Sequence, residues 1–309
     1  MRKFTVLAAL AATIVSWALV SRSAAQNPPP PLAKQADGSW KLYNTAKKKL
    51  LEGKQVFSYT QSKADPAEYC EKAKHYDFTW FEMQHSTLEF RDVEAMIAAC
   101  PKVAATPMIR LPDAQEWHIQ HSTDIGALGV IIPTVDDVDR AREGAKWARF
   151  PPVGRRSSGQ GQAPQLWGNN YRQTINDNML VVIMIETPTG VANAYDIASV
   201  PGVDVVIIGN NDLASFSGHA QNTPEYQAMM TKVHDDVLRA GKIFGQANAM
   251  YATGNPLSKD SKLFQNGPSN DGYVPPGRGG RGAVNPNAPP PGEEVTPPPP
   301  PTPAPAKKQ

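Results

Sequence analysis

Two apolar runs, one strand-helix unit apart, constrain the fold of this chain more than any other stretch. Residues 181–187 read Val-Val-Ile-Met-Ile-Glu-Thr, and residues 203–213 read Val-Asp-Val-Val-Ile-Ile-Gly-Asn-Asn-Asp-Leu. Each is rich in β-branched residues, too short to span a membrane and too continuous for a strand with one wet face. That leaves a strand buried on both sides, as in a parallel sheet. Each run ends on a carboxylate, Glu186 and Asp212. Residues 189–200 between them read as a short helix, so the two acids stand at the same end of neighbouring strands and can reach one cation.

The same alternation runs through the middle of the chain. Short apolar runs at 55–59, 78–83, 103–110, 129–133, 179–186, 203–209, 242–248 and, with the thinnest pattern, 262–265 predict eight strands. Amphipathic stretches at 66–75, 87–99, 113–121, 136–148 and 224–240 predict helices between them. Asp65-Pro66 and Thr223-Pro224 each place a capping side chain before a proline at the first helical position. This many repeats in about 230 residues favour a TIM (β/α)8 barrel over an open sheet. The regular spacing breaks twice. The connection from 148 to 178 is long and rich in Gly, Arg, Gln and Asn, as functional loops are, and no convincing helix follows the last strand.

The ends bound this domain. Residues 1–25 carry a basic start, an apolar run and small residues at Ser23 and Ala25, the pattern of a signal peptide, with an uncleaved membrane anchor as the competing reading. Residues 26–39 hold a proline run and read as a spacer. Residues 273–309, rich in Pro and Gly with almost no large apolar side chain, read as a disordered tail, leaving 40–272 for the barrel. The chain is thus expected outside the cytoplasm, periplasmic or secreted, with no membrane association beyond the signal peptide. A formal charge of +2 and no basic stretch interleaved with aromatics argue against nucleic acid as a partner. The two cysteines, Cys70 and Cys100, fall in consecutive predicted helices, and the sequence leaves open whether they pair or stay as separate buried thiols.

Polar residues cluster where the predicted strands end: Gln84 and His85 after the second, Arg110 after the third, Glu186 after the fifth and Asp212 after the sixth. Barrel geometry turns all of them toward one mouth. Carboxylates with an arginine and a histidine suit a hard, oxygen-liganded cation with open positions rather than a closed zinc site. Such a cation can chelate a 2-oxo acid and stabilise its enolate, with Arg110 facing the developing oxyanion and His85 as acid or base. Singly, each residue has a plainer reading: a capped histidine, a surface ion pair, a helix cap. Their convergence on one rim is what favours chemistry.

Between about Lys54 and Asp271 the sequence resembles the metal-dependent pyruvate aldolases of the HpcH/HpaI aldolase/citrate lyase family. Tyr76-Asp-Phe with Glu82-Met-Gln-His85 is similar to that family's F-D-W followed by D-x-E-H, Thr106-Pro-Met-Ile-Arg110 to P-V-V-R, and residues 124–133 to D-x-G-A followed by a proline. Residues 149–156 are similar to R-Y-P-P-x-G-x-R, Ile185-Glu-Thr187 to I-E-T, and Gly209-Asn-Asn-Asp-Leu213 to G-P-x-D-L. The resemblance implies a TIM barrel of the phosphoenolpyruvate/pyruvate-binding type and cleavage of 4-hydroxy-2-oxo acids to pyruvate and an aldehyde through a metal-bound enolate. It implies Glu186 and Asp212 as ligands of a divalent cation (Mg²⁺, Mn²⁺ or Co²⁺), and Arg110 as the group on the pyruvyl oxygen. It further implies His85 paired with Asp124 as the acid/base dyad, and backbone amides near Asn211 and Asp212 as the hold on the substrate carboxylate.

The departures are specific. Met184 stands where the family reads Q-I-E, removing an amide expected to hydrogen-bond near the metal. Glu82 and Gln84 replace the acids of D-x-E-H, Asn210 replaces a proline and Ser157 a glycine. The last family helix, which packs across an oligomer interface, is missing or replaced by the tail, which leaves room for a homo-oligomer without dictating one. Two other functions compete: a non-catalytic barrel that binds a 2-oxo or sugar acid, and a citrate-lyase-like enzyme.

Overall fold

The computed structural model describes residues 42–247 and 256–274; the signal-peptide, spacer and most of the tail assignments lie outside the described residues. Eight parallel strands close into a barrel in sequence order: β1 (Val56–Gln61), β2 (Phe78–Glu82), β3 (Thr106–Arg110), β4 (Gly129–Ile132), β5 (Leu180–Ile185), β6 (Val205–Ile208), β7 (Ile243–Ala247) and β8 (Leu263–Gln265). The ring closes where Val56 pairs with Leu263. This is the TIM barrel expected from the sequence, each strand within a few residues of its predicted span.

Side chains alternate along each strand, and the alternation decides what reaches the mouth, the end where the strands terminate. Phe78 and Trp80, Met108, Ile131, Val182 and Met184, and Val205 and Ile207 point inward and form the barrel's inner core. Ile183, Ile185, Val206 and Ile208 point outward into the larger core beneath the helices. Two residues beyond each inward pair, the same parity brings Glu82, Arg110, Glu186 and Gly209 to the inner wall at the mouth.

The helices are α1 (Thr45–Leu51), α2 (Pro66–Lys72), α3 (Phe90–Ala99), α4 (Glu116–Asp124), α5 (Val138–Trp147), α6 (Ala163–Trp167), α7 (Tyr171–Asn178), α8 (Pro188–Ala192), α9 (Ala194–Ser199), α10 (Asn210–Ser217) and α11 (Pro224–Arg239). α1, which the strand pattern does not announce, plugs the floor: Ala46 and Leu50, four apart on one face, join the inner core. Its cap residue Asn44 is buried and donates through Nδ2 to the Leu128 and Asn178 carbonyls at 3.1 and 2.7 Å. Asp65 and Thr223 cap α2 and α11 as expected, accepting from Glu68 N and Tyr226 N.

The long connection after α5 folds into α6 and α7 and lies on the floor rather than at the mouth. It joins a helix to the next strand, and such connections sit at the N-terminal ends of barrel strands, away from the face that carries active sites. Its two buried arginines are structural. Arg149 donates to the Gly202 and Met179 carbonyls at 2.6 and 3.2 Å and pairs with Asp204 at 2.7 Å, while Lys47 approaches the same carboxylate at 3.4 Å. Arg156 is buried, donating to the Tyr171 hydroxyl at 2.8 Å.

Cys70 and Cys100 form a disulfide with Cα atoms 5.6 Å apart, tying α2 to the end of α3. The described residues after β8, 266–274, contain no helix. No helix among the described residues is long and apolar enough to cross a membrane.

Candidate active site

At the mouth, a guanidinium sits between two carboxylates from different strands. Arg110 Nη1 lies 3.2 Å from Glu82 Oε2 and Nη2 lies 3.3 Å from Glu186 Oε1. The three residues are 6 %, 7 % and 1 % exposed respectively, so these charges sit almost out of water. A buried ion pair is favoured when further hydrogen bonds satisfy its members, and both carboxylates have them. Glu82 Oε2 also accepts from Trp80 Nε1 at 3.0 Å, and its Oε1 from the backbone N–H groups of Gln84 and His85 at 3.1 and 3.2 Å. Glu186 Oε2 accepts from the N–H and the hydroxyl of Thr134 at 2.7 and 3.0 Å.

Glu82 was not among the candidates chosen from sequence, although its signal was there: a carboxylate ending a buried strand, at the inward parity of Phe78 and Trp80. In the structure it folds the 83–86 turn around itself, with the Ser86 hydroxyl donating to its backbone carbonyl. That turn carries His85 to the rim, where its ring is exposed and makes no hydrogen bond among the described residues. Met184 takes the place of an amide donor and packs instead with Trp80, Met108 and Ile207 in the inner core.

Asp212 lies in the first turn of α10, a helix the sequence pattern missed. Asn210 fixes that turn, donating through Nδ2 to the Ala247 carbonyl at 2.8 Å while its own carbonyl accepts from the Tyr226 hydroxyl at 3.1 Å. The first backbone bond inside α10 is from Leu213 N to Gly209 O, so the N–H groups of Asn210, Asn211 and Asp212 point out of the helix start without an intrahelical acceptor. The Asn211 side chain accepts through Oδ1 from Gln221 Nε2 at 3.0 Å.

Asp124 is the residue the structure removes from the mouth. α4 runs from the mouth end toward the floor, and Asp124 is its last residue, not part of the turn beyond it. Its carboxylate pairs with Arg156 Nη2 at 2.5 Å, on the side of the barrel opposite His85. Within one chain the expected dyad of His85 and Asp124 does not form, because the two belong to opposite ends of the strands.

The mouth fits a divalent cation on three grounds. Two buried carboxylates, Glu82 and Glu186, share a single guanidinium, leaving a formal excess of negative charge almost out of water. Burial pushes the Glu186 carboxyl up, Arg110 and Thr134 pull it back, and Asp212 pushes it up further, a balance that a cation shared with Asp212 would relieve. Gly209 keeps the space over Glu186 open, since a Cβ there would come within 2.2 Å of Oε1. Among the described residues no group of three or more His, Cys, Asp or Glu side chains converges as a ready-made metal cage. A cation here would rest on Glu186 and Asp212 and complete its shell with substrate or water oxygens.

The chain is similar to known aldolases in sequence and in fold. The chain is 31 % identical over 214 residues to a hydroxypyruvate/pyruvate aldolase of Roseobacter denitrificans, covering 65 % of this chain and 81 % of that protein. It is 30 % identical over 210 residues to a 2-keto-3-deoxy-L-rhamnonate aldolase of Shigella sonnei, covering 66 % and 79 %. Among solved structures, an HpcH/HpaI aldolase from Desulfitobacterium hafniense superposes with a TM-score of 0.65 at 26 % identity, covering 72 % of this chain and 90 % of that one. The profile of one family matches residues 59–255, and so takes in Glu82, Arg110, Glu186, Gly209 and Asp212. By fold, by strand-end chemistry and by that match, the chain belongs to the HpcH/HpaI aldolase/citrate lyase family.

Proposed function

We propose that this protein is an exported, divalent-metal-dependent aldolase that cleaves 4-hydroxy-2-oxo acids to pyruvate and an aldehyde. The observation that carries the reading is the buried Arg110 held between Glu82 and Glu186, with Asp212 beside them. Membership of an aldolase family supports a carbon–carbon lyase, and the relatives named as aldolases of hydroxypyruvate, pyruvate and a 2-keto-3-deoxy acid support the substrate class. Export is supported by the pattern of residues 1–25 and by the Cys70–Cys100 disulfide, a bond at home in oxidising compartments.

Bound Mg²⁺, Mn²⁺ or Co²⁺ would supply Lewis acidity toward the 2-oxo acid's oxygens. Glu186 and Asp212 would hold the ion. Arg110, fixed in plane by its two carboxylate partners and with a buried Nε that has no partner, is ready to stabilise charge developing on the former keto oxygen without reorganising. The free N–H groups opening α10 suit the substrate carboxylate. As the C3–C4 bond breaks, the C4 hydroxyl gives up its proton, the aldehyde departs, and the bonding pair stays with the pyruvate enolate, which is then protonated at C3. His85 at the rim is the group on this chain suited to move that proton.

Pyruvate release from 4-hydroxy-2-oxo acids by the purified protein, after chelation and with Mg²⁺, Mn²⁺ or Co²⁺ restored, is the test. Turnover that returns with metal supports the reading. Folded protein that releases no pyruvate from any such substrate under any of these metals sinks it.

A further inference from the structure

Thr134 follows Pro133 at the end of β4 with φ of 50°, placing a β-branched residue in the left-handed region that such residues rarely adopt. The two residues that follow it are held by the stretch from Met184 to Asn193. Val135 N donates to the Met184 carbonyl at 3.1 Å, the Thr187 hydroxyl donates to the Asp136 carboxylate, and Asn193 Nδ2 donates to the Asp136 carbonyl at 2.8 Å. Strained residues held this firmly concentrate where function needs a fixed geometry. In this conformation Thr134 directs both of its donors, N–H and hydroxyl, to one acceptor, Glu186 Oε2.

The other oxygen is treated differently. Glu186 Oε1 accepts from Arg110 Nη2 at 3.3 Å and borders the space kept clear by Gly209. On Glu186's own strand, one inward position deeper, Met184 has no hydrogen-bond donor to offer. The donors that orient the carboxylate therefore come from the neighbouring strand.

We propose that Thr134 is the positioning residue of the mouth: by fixing Oε2 of Glu186 it makes Oε1 the oxygen presented to a bound cation. In naming the cation this rests on the metal-dependent reading above; the orientation of the carboxylate does not. A carboxylate without such an anchor rotates, and groups that orient metal ligands commonly contribute about 10- to 100-fold in affinity or activity.

Three substitutions in the full chain separate positioning from mere structure. T134V keeps the shape and the N–H but removes the hydroxyl, T134S restores the hydroxyl, and T134G removes it while relieving the left-handed backbone. Calorimetric titration with Mn²⁺ should show binding weakened about 10-fold in T134V and T134G, with T134S within about 3-fold of wild type. T134G should melt no lower than wild type even as its Mn²⁺ affinity falls, a split that a purely structural role would not produce. T134V binding Mn²⁺ as tightly as wild type overturns the proposal. If wild type itself binds no Mn²⁺, the metal reading fails, and crystal structures of metal-free wild type and T134V then decide the positioning role. A Glu186 carboxylate rotated in the variant supports it, and an unchanged carboxylate overturns it.

Discussion

Replacing Gly209 by alanine tests the site through one added methyl group. The backbone at 209 has φ −84° and ψ 92°, which alanine adopts without strain, so any effect comes from what the methyl meets. It meets Glu186: 2.2 Å to Oε1, 2.7 Å to Cγ and 2.8 Å to Cδ. An ordinary carbon–oxygen contact is about 3.3 Å, so Oε1 must retreat by about 1 Å. A misplacement of about 1 Å at a catalytic group costs about 100-fold in rate, or about 2.7 kcal/mol of transition-state stabilisation. The fold should suffer less: overpacking costs about 1–3 kcal/mol, offset in part by the 0.4–1 kcal/mol, roughly, that alanine gains by restricting the unfolded chain. The assay is kcat/KM for metal-dependent pyruvate release alongside the melting temperature. Combining G209A with E186D, which withdraws the carboxylate by a methylene, should give a double variant less impaired than the sum of the two single losses, the sign of direct contact. G209A working within about 3-fold of wild type, in protein that melts normally, would refute the assignment of Oε1 as the working oxygen.

Two further outcomes concern the scaffold. Changing both Cys70 and Cys100 to serine opens a loop of 30 residues, for which chain entropy predicts a loss of about 3–4 kcal/mol in urea unfolding; wild type treated with reductant should show the same shift, and a change below about 1 kcal/mol would contradict it. At the floor, burial alone would raise the Asp204 carboxyl, but Lys47 and Arg149 outweigh it and hold it below its ordinary range. A depressed folded pKa contributes stability that is fully present above the unfolded value of about 3.9 and is lost as pH falls through the lower folded value. Acid unfolding of D204N, followed by circular dichroism, should therefore show a flatter loss of stability in that window than wild type; parallel curves would remove Asp204 from the acid response.

How much of this was legible in the sequence follows from burial. Strands covered on both faces carry an apolar signal that no loop imitates, so β5 and β6 stand out from composition alone. α10 was missed for the converse reason. Asn-Asn-Asp-Leu-Ala-Ser-Phe-Ser offers only Leu213 and Phe216 as large apolar side chains, Phe216 stays exposed, and Asn210 is pinned from β7 and α11. α1 was missed because its lysines hide a two-residue apolar face that matters only once a barrel floor exists to receive it. The 148–178 connection was legible as unusual but not as structural, because the sequence does not say which end of the barrel a loop will occupy until the helix before it is placed.

The site divides along the same line. Arg110 and Glu186 could be read because each ends a buried strand and alternation turns it inward, and the same rule applied to β2 yields Glu82. Asp124 could not be placed by that rule, because it ends a helix, and a motif carries residue order without saying which rim each residue reaches. Thr134 lies beyond sequence reading altogether, since its role depends on a backbone held by bonds from β5 and from the residues that cap α8 rather than on any preference of threonine. What these cases share is the source of the constraint. Where alternation within one strand aims a side chain, the sequence suffices. Where two elements meet to aim it, as β4 and β5 do at Glu186, only the folded chain shows why the carboxylate turns one oxygen to the wall and the other to the mouth.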